Sequence, residues 1–325
     1  MVGGIRSVAG GTGYVIAGLR REQTLRGHEG LSWNMASIQH PGTRRSSPNA
    51  LGIGEKLSPQ LIPVLLYHAV TENPGRLIAP FAVTPQVFEQ HLGILREEQY
   101  TCVTFSQLLD SLAAGTVSPR TAVITFDDGY KDFADNALPA LQSHAYAATT
   151  YLTTGFLAGS KLHHKEPGPA DPMLDWAQLP ELVASGIEIG AHSHSHPQMD
   201  TLTAAQLRRE TYLPKALLED ALGVGVRSFA YPHGYNGPRV RRFTRDAGYD
   251  NAAGVRNAFT HSNNDPFNVA RLMLQSHHSL GTFRNWLRGS EAPIETQGES
   301  LKTKLWRDYR RGKAILRRRP GSEYQ

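Results

Sequence analysis

The run Ala122-Val123-Ile124-Thr125-Phe126-Asp127-Asp128-Gly129-Tyr130 places two adjacent carboxylates directly behind five residues of strand character. Its β-branched and aromatic content, closed by Gly129, predicts a short buried strand over 122–126 that carries both acids to its C-terminal end. A second run, Gly186-Ile187-Glu188-Ile189-Gly190-Ala191, leads into His192-Ser193-His194-Ser195-His196-Pro197. It delivers an imidazole cluster to the end of another strand. In α/β folds reactive groups collect at that end of the sheet. One carboxylate with two imidazoles is a donor set for a divalent metal, and the neighbouring carboxylate is a candidate base. Taken singly, Asp127-Asp128-Gly129 also reads as a turn or helix cap, and the histidines as a solvated loop. Two such features on two strands of one sheet point to metal-assisted hydrolysis.

Outward from these runs the chain alternates strands with helices. A continuous apolar strand over 62–67 ends on Tyr67 and His68. Thr84-Pro85 opens a helix with Val87, Phe88, His91, Leu92 and Leu95 on its apolar face. Further helices are expected from Ser106, near 132–143, over 176–184 and near 203–222, with strands over 147–152, 186–191, 227–231 and 269–274, and a short unit ending in Asn251-Ala252-Ala253-Gly254-Val255. The loop 159–175, rich in Pro, Gly and His, is expected to cover something. This order predicts an α/β chain with a parallel sheet, and about seven such units a distorted, closed or nearly closed (β/α) barrel. Three segments are expected: 1–58 as a disordered extension, 59–290 as the barrel, and 291–325 as a basic tail. Met35 lies in the first and is an alternative start.

The net charge of +5 is unevenly laid out. Residues 1–50 hold six arginines against two acids, and residues 302–319 hold nine Lys or Arg against Asp308. The span 51–301 carries 19 basic against 25 acidic side chains, so the body is mildly acidic. A nucleic-acid partner is therefore not expected. The single cysteine, Cys102, excludes an intramolecular disulfide. Neither a membrane span nor a signal-peptide core is evident, so the expected location is cytoplasmic. The tail includes Trp306, Tyr309, Ile315 and Leu316. It reads either as an amphipathic basic helix on an anionic membrane surface, making the protein membrane-peripheral, or as a solvated tail.

Thr125-Phe126-Asp127-Asp128-Gly129-Tyr130 resembles the first motif of polysaccharide deacetylases, carbohydrate esterase family four, and His192-Ser193-His194-Ser195-His196-Pro197 resembles their second. Asp175-Trp176-Ala177-Gln178-Leu179-Pro180-Glu181-Leu182 is similar to the usual approach to that motif, and Phe229-Ala230-Tyr231-Pro232-His233-Gly234 resembles a variant third motif. The opening Pro63-Val64-Leu65-Leu66-Tyr67-His68 resembles the branch linked to bacterial exopolysaccharides.

The resemblance, over about 62–288, implies metal-dependent removal of an N-acetyl or O-acetyl group from a carbohydrate, which could be lipid-linked. It implies Asp128, His192 and His196 as ligands of a divalent ion, expected to be zinc, and Asp127 as general base. By analogy the backbone N–H of Tyr231 would help to hold the oxyanion. Ala230 stands where many relatives have an arginine that orients the base, and Arg271, at the start of the last strand, is the expected substitute. For the general acid no clean match exists; the order of preference is His278, then His277, then His68. Trp176, Tyr67 and Tyr231 are candidates for stacking on a sugar, though each also reads as an ordinary core or rim aromatic. A metal amidase acting on a non-sugar amide and an inactive carbohydrate-binding homologue are the alternatives.

Overall fold

The strand that carries Asp127 and Asp128 lies inside a parallel sheet. The computed structural model describes residues 60–159, 168–261, 265–295 and 301–317. The expected extension 1–58, and His163 and His164 of the loop, lie outside them. The strands are β1 (Val64–Tyr67), β2 (Ala69–Val70), β3 (Ala82–Val83), β4 (Thr101–Val103), β5 (Thr121–Phe126), β6 (Thr149–Leu152), β7 (Glu188–Ala191), β8 (Ser228–Ala230), β9 (Asn251–Ala253) and β10 (Leu272–Met273). Seven run side by side in the order β10-β1-β5-β6-β7-β8-β9, with β4 beside the first half of β5, and every pairing is parallel. A parallel bridge between Ala253 and Val269 ties β9 to the chain entering β10. The sheet thus curls into a distorted (β/α) barrel. β2 and β3 form a separate two-stranded ribbon.

Alternation along β5 sets the two layers. Ala122, Ile124 and Phe126 pack outward with Phe88, Leu92, Phe133 and Leu141 beneath the helices. Val123 packs inward with Ile62, Val64, Tyr151, Ala230, Ala253 and Val269. The period of two then puts Thr125 and Asp127 on the inward side as well. All six residues of β5 are buried, as expected for a parallel strand covered on both faces.

The helices are α1 (Pro85–Glu97), α2 (Phe105–Ala114), α3 (Leu138–Ser143), α4 (Leu179–Ala184), α5 (Ala204–Leu222), α6 (Pro238–Asp246), α7 (Leu280–Leu287) and α8 (Leu301–Arg317). Thr84 caps α1 by accepting from the Val87 N–H, with Pro85 in the first turn. α2 begins one residue ahead of the expected Ser106, because Thr104 and Gln107 form a reciprocal capping box. The helix expected over 132–143 is broken. Leu138 N–H reaches back five residues to Phe133, and α3 starts only there, with Pro139 in its first turn and no N–H to give.

The start of α2 plugs the barrel at the N-terminal ends of the strands. Phe105 and Leu108 enter the interior cluster. Phe105 N–H donates to Thr149 Oγ1 at 2.9 Å, and Ser106 N–H to Glu188 Oε2 at 3.0 Å. The opposite end, where the strands finish, is left for chemistry.

The described residues beyond 290 pack on this body. Glu295 accepts from the Ala270 N–H at 3.0 Å, and Arg310 of α8 pairs with Asp200. The described part of the expected tail is therefore held against the barrel rather than trailing from it. Phe105→Ala is expected to cost about 3–5 kcal/mol, read as a lower midpoint in a urea melt.

Candidate metal centre

The two carboxylates diverge because the backbone turns between them. Asp127 N–H still donates to Tyr67 O at 3.0 Å, as a last rung of the sheet. Asp128 then takes a left-handed φ of +75° and Gly129 one of +92°. Asp is among the few residues that tolerate this region. Gly129 holds a φ at which any side chain is strained, and a Cβ there would also come within 2.9 Å of Leu152 Cδ2.

Asp127, on the inward face, meets Arg271. Two parallel bonds, Nη1 to Oδ1 and Nη2 to Oδ2, are both 2.7 Å. The arginine is fully buried and also donates from Nε to Gly254 O at 2.9 Å and from Nη1 to Thr125 Oγ1 at 3.2 Å. Burial pushes the Asp127 carboxyl up, but Arg271 and then His192 more than offset it, and its pKa lies below the ordinary value.

Asp128 meets the imidazoles. His192 N–H continues the ladder from β7 to Leu152 O at 2.9 Å, and its Nδ1 lies 2.8 Å from Ala230 O. A carbonyl only accepts, so Nδ1 carries the proton and Nε2 presents a lone pair. That Nε2 lies 3.4 Å from Asp128 Oδ1, and His196 Nε2 lies 3.2 Å from the same oxygen. One ligand atom from each of Asp128, His192 and His196 lies within 4.8 Å of the others, and all three residues are buried. A buried lone pair aimed at a carboxylate oxygen is favourable only with a cation or proton between them. The donor set therefore fits a divalent metal with nitrogen and oxygen ligands. Burial raises the Asp128 pKa, yet His196 and His192 hold it well below its ordinary value.

The histidine loop is shaped by backbone and by one buried acid. Ser193 and His196 have φ of +66° and +53°. His194 turns away, its Nδ1 3.0 Å from Thr154 Oγ1. Glu210 of α5 accepts from the His194 N–H, the Ser195 N–H and the Ser195 hydroxyl at 2.8–2.9 Å. This anchor was not among the expected site residues. Its one sequence signal is an acid set among the buried positions Leu207, Thr211 and Pro214 of α5.

A cavity of about 200 Å³ opens over the centre, lined in part by His68, Phe81, Tyr130, His233, Val255 and Met273. Of the three acid candidates, His68 lines it. His278 instead takes the Gln275 N–H on Nδ1 and packs its ring against Trp286, with His277 beside it, and neither lines the cavity. The structure thus brings His68 to the centre and leaves His277 and His278 away from it. The His68 Nδ1 is buried without a hydrogen-bond partner, and burial lowers its pKa although Asp128 and Asp127 pull it up.

The aromatic expectations also change. Tyr67 and Tyr231 are fully buried in the outer layer, with hydroxyls on His91 Nδ1 and Phe267 O, both at 3.0 Å, so neither ring can stack on a ligand. The Tyr231 N–H is spent on Ala253 O at 3.1 Å and is unavailable to an oxyanion. Trp176 is half-buried against the core and outside the cavity lining. His233, not foreseen, stands at φ +57° in the turn after β8 with its ring 4.6 Å from that of His196.

Residues 114–252 match the family model of polysaccharide deacetylases. The matched segment contains Asp127, Asp128, His192 and His196, and it supports a domain of that family here. Among curated proteins, YxkH of Bacillus subtilis is 26% identical over 192 residues, covering 59% of this chain and 63% of its own. The chain thus spans less than two thirds of that relative. Among solved structures, the deacetylase PplD of Streptococcus pyogenes, in complex with acetate, aligns with TM-score 0.62 at 22% identity, over 69% of this chain and 97% of its own. A polysaccharide deacetylase from Bacillus cereus aligns at 0.61 and 24% identity, over 70% and 69%. IcaB from Ammonifex degensii aligns at 0.59 and 22%, over 70% and 97%. At these identities the likeness shows the fold.

Removing the loop anchor leaves the buried His194 N–H and the half-buried Ser195 N–H unmet. Glu210→Ala is expected to destabilise the protein by about 2–4 kcal/mol. A glutamine replacement, which keeps one acceptor oxygen, should restore part of that in the same thermal melt.

Proposed function

We propose that this chain is a metal-dependent hydrolase that removes the acetyl group from an N-acetylated sugar of a polysaccharide. The observation that carries the reading is the division of labour between two adjacent acids. Asp128 joins His192 and His196 in one donor set, while Asp127 is withheld from that set by Arg271. Asp128, His192 and His196 would hold a divalent cation, with zinc the ion that suits two imidazoles and one carboxylate. When bound, the ion acidifies water and polarises the acetyl carbonyl.

The remaining steps belong to the chain. Asp127 is ionised and accepts the proton of the attacking water. Both of its oxygens are held by Arg271, but a carboxylate has about four lone-pair sites, so two remain for this task. Arg271 is a positioning residue in place of the arginine that Ala230 lacks. His68, at the cavity wall, is the group assigned to return a proton to the leaving nitrogen. The opening strand's resemblance to the exopolysaccharide branch favours a secreted-glycan type of substrate.

Acetate release from N-acetylated oligosaccharides should be abolished by a chelator and restored by zinc. Asp127→Asn should lower kcat by about 10²–10⁴-fold while leaving zinc binding, followed by calorimetry, near that of the unaltered chain. Release of ammonia from a non-sugar amide, with no acetate from sugars, would replace this reading by an amidase. Turnover unaffected by Asp127→Asn would overturn the role of the base.

Arg271 gives a second test. Its charge holds the Asp127 carboxyl low, so the base stays ionised into mildly acidic solution. Arg271→Lys keeps a charge but loses the two-pronged grip. The acid limb of the kcat/KM profile should therefore move to higher pH, and the plateau should drop about tenfold or more. An unmoved limb would show that Arg271 does not set the state of the base.

A further inference from the structure

α8 sits on the barrel with its arginines inward and its apolar side outward. Arg307 and Arg310 are buried. The guanidinium of Arg310 pairs with Asp200 and stacks 3.7 Å from the centroid of the Tyr235 ring, and Arg311 Nε donates to Asp200 O at 2.9 Å. The guanidinium of Arg307 lies over Gly237, about 3.0 Å from where a Cβ would stand. On the other side, Leu301, Leu305, Trp306, Tyr309, Ile315 and Leu316 are 54–86% exposed. They are six of the ten exposed large hydrophobic residues among those described. At 3.6 residues per turn, Leu301, Leu305, Tyr309 and Leu316 share an arc of about 80°. Lys302 and Lys313 border one edge of it. Lys304 borders the other, where Asp308, 3.8 Å from Arg311, is the one acid of the helix.

We propose that this face of α8 docks on an anionic lipid bilayer. Apolar side chains would enter the headgroup boundary, and the bordering cations would meet lipid phosphates. Charge selects this occupant. A second copy laid on the same stripe would bring lysine borders against lysine borders, whereas an anionic surface complements both edges at once. The span 51–301 carries a net negative charge, so α8 is the part whose charge suits such a surface. No helix among the described residues is long and apolar enough to cross a membrane, which makes this a surface contact.

The placement bears on the proposed reaction. α8 contributes Leu305, Trp306 and Tyr309 to a cavity of about 1120 Å³ whose lining shares His233 and Val255 with the cavity over the metal centre. Docking sets this cavity at headgroup level, where a saccharide anchored in or lying on the membrane would meet it. The encounter with a saccharide rests on the proposed deacetylation; the docking itself does not.

Co-sedimentation of the full chain with vesicles tests the docking without reading turnover. Binding should be weak to pure phosphatidylcholine and strong when about one third is phosphatidylglycerol, and it should fall with added salt. Leu305→Glu with Leu316→Glu should cut partitioning about tenfold or more with an unchanged melting curve, since both side chains are exposed. Lys302→Gln with Lys313→Gln should remove most of the preference for the anionic lipid. Equal binding by the leucine variant, or no binding to phosphatidylglycerol vesicles, overturns the proposal. So does a dimer in light scattering that the leucine variant splits, because a second copy would then cover the face.

Discussion

The buried pair between Arg271 and Asp127 organises this end of the barrel. Neither group can be left alone in so dry a place: breaking a buried, hydrogen-bonded ion pair costs about 3–5 kcal/mol. The guanidinium also reaches Thr125 within β5 and Gly254 just past β9. One side chain thus ties the strand of the two acids to the seam where β9 meets the chain entering β10. Among the described residues the seam has one bridge, between Ala253 and Val269, and a further bond from the Ala252 N–H to Pro266 O, so a polar tie across it has structural weight.

That pair also explains how two neighbouring acids acquire different surroundings. The period of two along β5 turns Asp127 inward to a cation supplied by the protein. The left-handed turn at Asp128 then aims the second carboxylate at His192 and His196. The neighbours differ in kind. A guanidinium never gives up its proton, whereas an imidazole with Nδ1–H committed to a carbonyl offers a lone pair for a ligand.

Much of this was legible in the chain because it is local. Strands over 122–126 and 186–191, the cap at Thr84, and the acids and histidines at strand ends all follow from residues within a few positions of each other. Arg271 was legible from its place at the start of the last strand, although its two-pronged grip was not. What failed was direction. Tyr67 lies two residues from Leu65 on the same outward side, so its ring packs under α1 rather than in the cleft. His278 depended on the course of the chain after β10, which sequence spacing does not specify. Glu210 acts across 15 residues on a loop, and its place among the buried positions of α5 does not say which loop it holds. The tail showed an amphipathic pattern, which ordinarily buries the apolar side. Here Arg310 turns inward to Asp200 and Tyr235, and the leucines face outward.

Asp128, Ser193, His196 and His233 all hold left-handed backbone within one small volume. Such conformations cost roughly 1–2 kcal/mol each for residues other than glycine, least for aspartate. Four together rival the net stability of an ordinary domain, about 5–15 kcal/mol. The reserve that keeps the barrel folded is therefore drawn down at the place where its polar groups converge. Heat resistance and the present geometry of this centre are competing demands on one sequence, and glycine or asparagine at Ser193 would ease the first at the expense of the loop's definition.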